Sequence, residues 1–199
     1  MKILALELST GRGSLAWLDG QIEFTREWPN DRKNSGAFFE NLQAVREKFG
    51  GPEKIIVGLG PGSYAGTRIA ISAAIGIQLS SDAQLIGYSS ICAMECDAEE
   101  YHVIGDARRK SFFLARILNN EAIEGPTLFS ELELQTKLDS LDPARPVISS
   151  EMLPQFRRAA VCFPSALILA RLARESRQSF CLPPLEPFYL REPHITMPK

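Results

Sequence analysis

The chain has 199 residues, with 22 Lys and Arg against 24 Asp and Glu and a formal net charge of −2. Hydrophobic residues make up 45% and charged residues 23%, which excludes a disordered or collagen-like chain and leaves enough sequence for a real core. The slight acidity argues against a protein whose whole surface grips nucleic acid. The two histidines, His102 and His194, cannot make a two-histidine zinc helix or a three-histidine site.

Residues 2–8 read as a strand, 9–13 as a small polar turn and 14–18 as a second strand. Asp19-Gly20 is a two-residue hairpin signal, and residues 21–28 complete a three-stranded antiparallel meander. After a polar loop at 29–34, Phe38, Leu42, Val45 and Phe49 fall on one helical stripe. That spacing predicts a helix over 35–49, ended by Gly50-Gly51-Pro52. Residues 54–59 form a β-branched strand. A glycine-rich turn at 60–66 leads into a second helix at 67–80, then a short strand at 85–88 and a short helix at 89–96.

A new unit begins near Glu99. Strands are expected at 101–106 and 111–118, a turn at Asn119-Asn120 and a short strand at 122–124. A helix follows at 130–138, a strand at 146–149 and a helix at 165–177, and Pro183, Pro184 and Pro187 make the end extended. Two consecutive βββαβα units imply an internal duplication. The fold class is therefore α/β, of the actin-like ATPase (ASKHA, ribonuclease H-like) kind, where nucleotide sits between the halves; topology supports the fold and not a function. The expected subdomains are 1–98 and 99–199, with the C-terminal tail returning to the first.

The densest motif is Gly58-Leu59-Gly60-Pro61-Gly62-Ser63-Tyr64-Ala65-Gly66-Thr67-Arg68. It demands special backbone geometry between a strand and a helix. No Gly-Lys-Ser/Thr follows, so it is not a P-loop, and Ser63 stands where a dinucleotide fingerprint needs its third glycine. A tight turn that lets the helix approach neighbouring backbone is one reading; an anion site at the helix N-terminus is the other.

The helix behind this motif carries Ile69, Ala70, Ile71, Ala73, Ala74, Ile75, Gly76, Ile77 and Leu79, apolar on almost every face. Such a helix is normally buried all round. Either the preceding helix covers the side away from the sheet, or a partner protein or second copy does.

Glu7, Ser9 and Thr10 lie where actin-like ATPases orient Mg²⁺ and phosphate; the alternative is an ordinary hairpin with a buried glutamate. Asp106-Ala107-Arg108-Arg109-Lys110 reads as an ion pair, a phosphate or RNA-backbone contact, or a solvated basic loop. Cys92, Cys96, Cys162 and Cys181 lack zinc-ribbon spacing and read as reduced, mostly buried thiols of a cytoplasmic protein. No signal peptide is visible, no Gly-x-Ser-x-Gly elbow occurs, and no run approaches the ~20 apolar residues of a membrane span.

Four pieces resemble the TsaB (YeaZ) family, whose members serve tRNA threonylcarbamoyladenosine synthesis. They are residues 1–10, the block from Gly60 to Ile71, Asp106-Ala107-Arg108-Arg109-Lys110 and Pro187-Phe188-Tyr189-Leu190-Arg191, in the family's order along the whole chain. The resemblance implies a degenerate actin-like ATPase that is a scaffold and not an enzyme. It would bind the catalytic paralogue TsaD, together with the ATPase TsaE, and meet tRNA only through that complex. Threonylcarbamoyl then passes from its adenylate to the adenosine beside the anticodon.

The resemblance also implies that the heterodimer, like the isolated homodimer, uses the helices at 35–49 and 67–80. The expected interface is Phe38, Leu42, Gly66, Thr67, Arg68, Ala70, Ile71, Ala74, Ile75 and Gln78. On that basis Ala74→Arg or Ile71→Glu is expected to break the complex and leave the chain folded. No cofactor is expected, with ATP or ADP and Mg²⁺ admitted only at a subunit boundary. Three positions depart from the family's usual pattern: Glu7 for Asp, Asn34 for His and Ala65 for Thr. The alternative function is an actin-like small-molecule kinase or ATPase using Glu7, Ser9, Thr10 and Asp106. A glycoprotease reading, once attached to relatives of the family, lacks a metal-ligand set or a nucleophile–base pair.

Overall fold

The computed structural model describes residues 1–30 and 35–191; Asn34 and His194 lie outside the described residues. Strands β1 (Ile3–Glu7), β2 (Arg12–Asp19) and β3 (Ile22–Pro29) form the expected meander. Its hairpin register pairs Asp19 with Ile22, with Gly20 at a positive φ of 58°. Helix α1 (Gly36–Phe49), strand β4 (Lys54–Gly58), helix α2 (Tyr64–Ser81) and strand β5 (Gln84–Tyr88) follow. The first sheet has the order β3-β2-β1-β4-β5, with β1 antiparallel to β2 and parallel to β4.

The second sheet repeats the first. It contains β6 (Glu100–Asp106), β7 (Ser111–Leu118), β8 (Glu121–Ser130), β9 (Val147–Ser149) and β10 (Ala159–Val161). Their order is β10-β9-β6-β7-β8, with β6 antiparallel to β7 and parallel to β9. Counted within each half, strand order and directions are identical, which is the ribonuclease H-like sheet occurring twice.

The helices do not repeat so evenly. In the first half α2 joins the fourth and fifth strands. In the second, α3 (Glu131–Ser140) follows the third strand, residues 150–158 join the fourth and fifth without a helix, and α4 (Ala166–Glu175) comes last. Two expectations are corrected here. The strand expected at 122–124 is ten residues long, and β10 lies in a segment for which no element was expected. Flanking charges on β8 and polar neighbours of β10 hide the strand pattern, and pairing to β7 and β9 overrides it. The helix expected at 89–96 is only a 3₁₀ turn at Ser90–Ala93.

The layers follow from three apolar clusters. α1 and α2 cover one face of the first sheet, where Phe38, Leu42, Val45, Ala70, Ala74 and Ile77 meet Leu4, Leu6, Ile55 and Val57. α4 crosses to the opposite face of that sheet and packs on β1, β2 and β4. There its Ala166, Leu169, Ala170 and Ala173 share one cluster with Ile3, Ile56 and Ile86 of the first sheet and Tyr101, Val103 and Phe113 of the second. α3 covers the outer face of the second sheet through Leu134 and Leu138. The halves are thus joined by a common central core. The C-terminal segment does return to the first sheet: Gly87 and Cys181 exchange backbone hydrogen bonds of 2.9 Å, and Phe188 N–H donates to the Leu59 carbonyl at 2.8 Å. Among the described residues, no helix is long and apolar enough to cross a membrane.

Candidate functional site

Two surfaces carry the residues singled out by the sequence. The first is the outward side of α2. Its N-terminus is built by close approach of backbone. A Cβ on Gly62 would collide with the Ser9 carbonyl, and one on Gly66 with the Leu8 carbonyl. Ser63 N–H donates to Ser9 O at 2.5 Å, and the Ser63 hydroxyl caps Gly66 N–H at 3.3 Å. The tight-turn reading of the glycine block therefore describes this structure: the glycines let the loop after β1 sit directly on the helix N-terminus.

The ten expected interface residues divide sharply. Phe38, Leu42, Gly66, Thr67, Ala70, Ile71 and Ala74 are buried in the chain's own core. Arg68 and Ile75 are exposed, and Gln78 is half-buried. The stripe that faces outward is Tyr64, Arg68, Ser72, Ile75 and Leu79, with Ile75 41% and Leu79 82% exposed. α1 lies on the same sheet face and leaves that stripe open, while presenting Phe39 at 50% exposure. The expectation that Ala74→Arg or Ile71→Glu spares the fold is corrected: Ala74 is fully enclosed and Ile71 nearly so, so either charge would enter the core. Sequence reasoning missed Leu79, Tyr64 and Phe39. The polar residues Arg68 and Ser72 mark the outward stripe and point, at helical spacing, to Ile75 and Leu79.

The second surface is a cleft of about 560 Å³ between the halves. Its walls include Ser9, Thr10 and Gly11 from the β1–β2 turn, Asp106, Arg108 and Arg109 from the β6–β7 turn, and Tyr64 and Tyr189 at 5.4 Å between ring centroids. The Arg108 guanidinium pairs with Asp106 at 3.0 Å, and Arg108 N–H donates to the same carboxylate at 2.6 Å. Arg108, Arg109 and Lys110 all have positive φ, at 66°, 55° and 58°. This run of left-handed residues turns the two strands while holding three cations together at one turn.

Glu7 does not line this cleft. It is fully enclosed behind Gly58, where any Cβ would collide with its carboxylate. Its Oε1 accepts Ser9 N–H at 2.6 Å, while Oε2 and the Ser9 hydroxyl are buried without a well-formed hydrogen bond. Burial pushes the Glu7 carboxyl above its ordinary range; the Ser9 and Ser90 hydroxyls, the Ser9 amide and the Arg12 charge oppose this only in part. Thr10 spends its hydroxyl on the turn, donating to Arg12 O at 3.0 Å. Ser9 and Thr10 reach the cleft wall and Glu7 does not, so the donor set expected for Mg²⁺ and phosphate is not assembled there. Among the described residues, no three His, Cys, Asp or Glu side chains are grouped to hold a metal ion.

No protein-family model and no curated protein matches this chain. Solved structures do. A Pseudomonas aeruginosa protein described as similar to peptidase YeaZ superimposes with a TM-score of 0.75 at 21% identity, over 96% of this chain and 99% of that one. YeaZ from Pseudomonas aeruginosa gives 0.70 at 20% identity, over 95% and 99%. Identities this low speak for architecture, and both superpositions run nearly end to end: the chain is a duplicated, two-sheet α/β protein with the fold of YeaZ.

Proposed function

We propose that this chain belongs to the TsaB (YeaZ) family and acts as its non-catalytic scaffold. In this reading it binds TsaD, with TsaE in the same assembly, and supports transfer of threonylcarbamoyl to the tRNA adenosine beside the anticodon. It meets tRNA only through the complex, works in the cytoplasm, and pairs with itself when alone. The observation that carries the reading is the end-to-end match in fold to YeaZ, over 95% of this chain and 99% of that one. The open stripe on α2 suits a subunit whose work is docking: two exposed aliphatic side chains on an ordered helix are costly to leave in water. ATP or ADP with Mg²⁺ would belong only to a subunit boundary.

The test uses the stripe that is free. Ile75→Arg with Leu79→Arg is expected to abolish co-elution with TsaD and self-association while leaving the thermal midpoint close to that of the parent chain. Retained co-elution overturns this docking face. The second reading, an actin-like kinase or ATPase, draws on the cleft with Ser9, Thr10, Asp106 and Arg108 in its wall. Calorimetric titration with Mg-ATP separates the two, since tight binding and turnover by the isolated chain favour the enzyme.

A further inference from the structure

The chain crosses between its halves twice at one place. The first crossing leaves the Ser90–Ala93 turn through Met94, Glu95 and Cys96 toward β6; the second leaves β10 through Cys162, Phe163 and Pro164 into α4. The two segments run antiparallel. Met94 faces Pro164 in an isolated bridge. Ser165 N–H donates to Ala93 O, and Glu95 N–H to Phe163 O, both at 2.9 Å.

The hydrogen-bonded positions are therefore 93 with 165 and 95 with 163, and the bridge between them is a non-bonded position. One step further, Cys96 falls opposite Cys162 at the next non-bonded position. Antiparallel side chains approach closest there, with Cα atoms about 4.5 Å apart, a span that a disulfide bridges. The Cys96 amide turns back to the Met94 carbonyl at 2.8 Å, so the ladder ends on this pair.

A direct contact agrees with the register. The Cys162 thiol donates to the Glu95 carbonyl at 2.9 Å, in the peptide group that carries Cys96. Both thiols are free and half-buried, and both pack against the central core. The other two cysteines lie elsewhere: Cys92 is buried, and Cys181 sits opposite Gly87 at the first sheet.

We propose that Cys96 and Cys162 form a dithiol site that takes a low-molecular-weight disulfide and closes into an intramolecular cross-link. Cys96 attacks the small disulfide, its Sγ bonding to one sulfur while the other leaves as a thiol carrying the Cys96 proton. Cys162 then attacks the Cys96 sulfur and expels the second small thiol with its own proton. Two protein thiols are oxidised by two electrons, one small disulfide is reduced to two thiols, and no other reactant is needed. Burial, with Cys96 and Glu95 adjacent, pushes the Cys162 thiol up to about 11, so the second attack quickens as pH rises. The closed loop holds the entire second sheet and α3, and its cross-link pins that half where both crossings meet the first.

The experiment oxidises the folded full-length chain with oxidised glutathione at neutral and alkaline pH, then maps peptides without reduction. The expected result is a linked Cys96–Cys162 peptide, formed faster at alkaline pH, with a thermal midpoint several degrees higher that dithiothreitol reverses. C162S should stop at glutathione on Cys96, and C92S should cross-link as the parent does. A folded chain that keeps both thiols, or a wild-type chain that holds glutathione on Cys96 without resolving it at alkaline pH, overturns the proposal. The mapping of the parent chain decides the matter even where a variant fails to fold.

Discussion

The two halves build the same sheet and cover it differently. In the first, α1 and α2 close one face and α4 the other. In the second, α3 alone closes the outer face, and residues 150–158 run where the first half places α2. The carboxylates that end the first strand of each half diverge in the same way. Glu7 is sealed under Gly58 with a raised pKa, whereas Asp106 stands at the cleft wall paired with Arg108. A duplicated backbone thus does not duplicate chemistry: one half has committed its glycine-rich corner to packing, and the other keeps its corner open and charged.

The largest expected effect tests whether α2 is core or cover. Ala74→Arg should remove about 4 kcal/mol or more and unfold the chain in chemical denaturation, because the cation would be buried without a partner. Leu79→Arg, five residues further along the helix, should change stability by less than about 0.5 kcal/mol, since that side chain is 82% exposed. Equal losses at both sites would erase the distinction between the buried and open sides of α2.

The glycine corners come next. Gly66→Ala meets the Leu8 carbonyl, a backbone atom that cannot rotate away, and should cost about 3 kcal/mol in urea unfolding. Gly105→Ala in the second half meets the far end of the Phe113 side chain, which borders the cleft, and not backbone, and should cost about 1 kcal/mol. A reversed order would mean that the first corner is the looser one.

The smallest effects are in pH. Glu7 has a folded pKa above its unfolded value, so the folded chain holds the extra proton and loses stability as pH rises through the ordinary carboxyl range. Glu7→Gln should therefore gain on the parent as pH rises above the ordinary carboxyl range. His102 has the opposite sense. Burial and the Arg116 charge lower its pKa, so its contribution is present above its ordinary range and is lost as pH falls through it. His102→Gln should flatten that acid limb. Thermal midpoints recorded across pH for the two variants should change opposite limbs of the curve; a shared limb would contradict the assigned environments.

Much of the fold was legible in sequence. The Asp19-Gly20 hairpin, the Phe38–Leu42–Val45 stripe and the break at Gly50-Gly51-Pro52 each follow from local geometry, and each stands where expected. β10 was not legible, since three residues without alternation carry no period and only pairing to β9 makes them a strand. The cysteines show the same limit. They were expected to be mostly buried, yet only Cys92 is; the others are half-buried, and their environments depend on chain crossings distant in sequence.

The sequence by itself determined the α/β class, the duplicated strand pattern and an uncommonly apolar second helix, because periodicity and turn chemistry act over a few residues. Only the tertiary structure decided which side of that helix is free, that Glu7 is walled off from the cleft, and that the segments carrying Cys96 and Cys162 run side by side. Each of those depends on which distant backbone comes within a few ångströms, and local pattern carries no information about that.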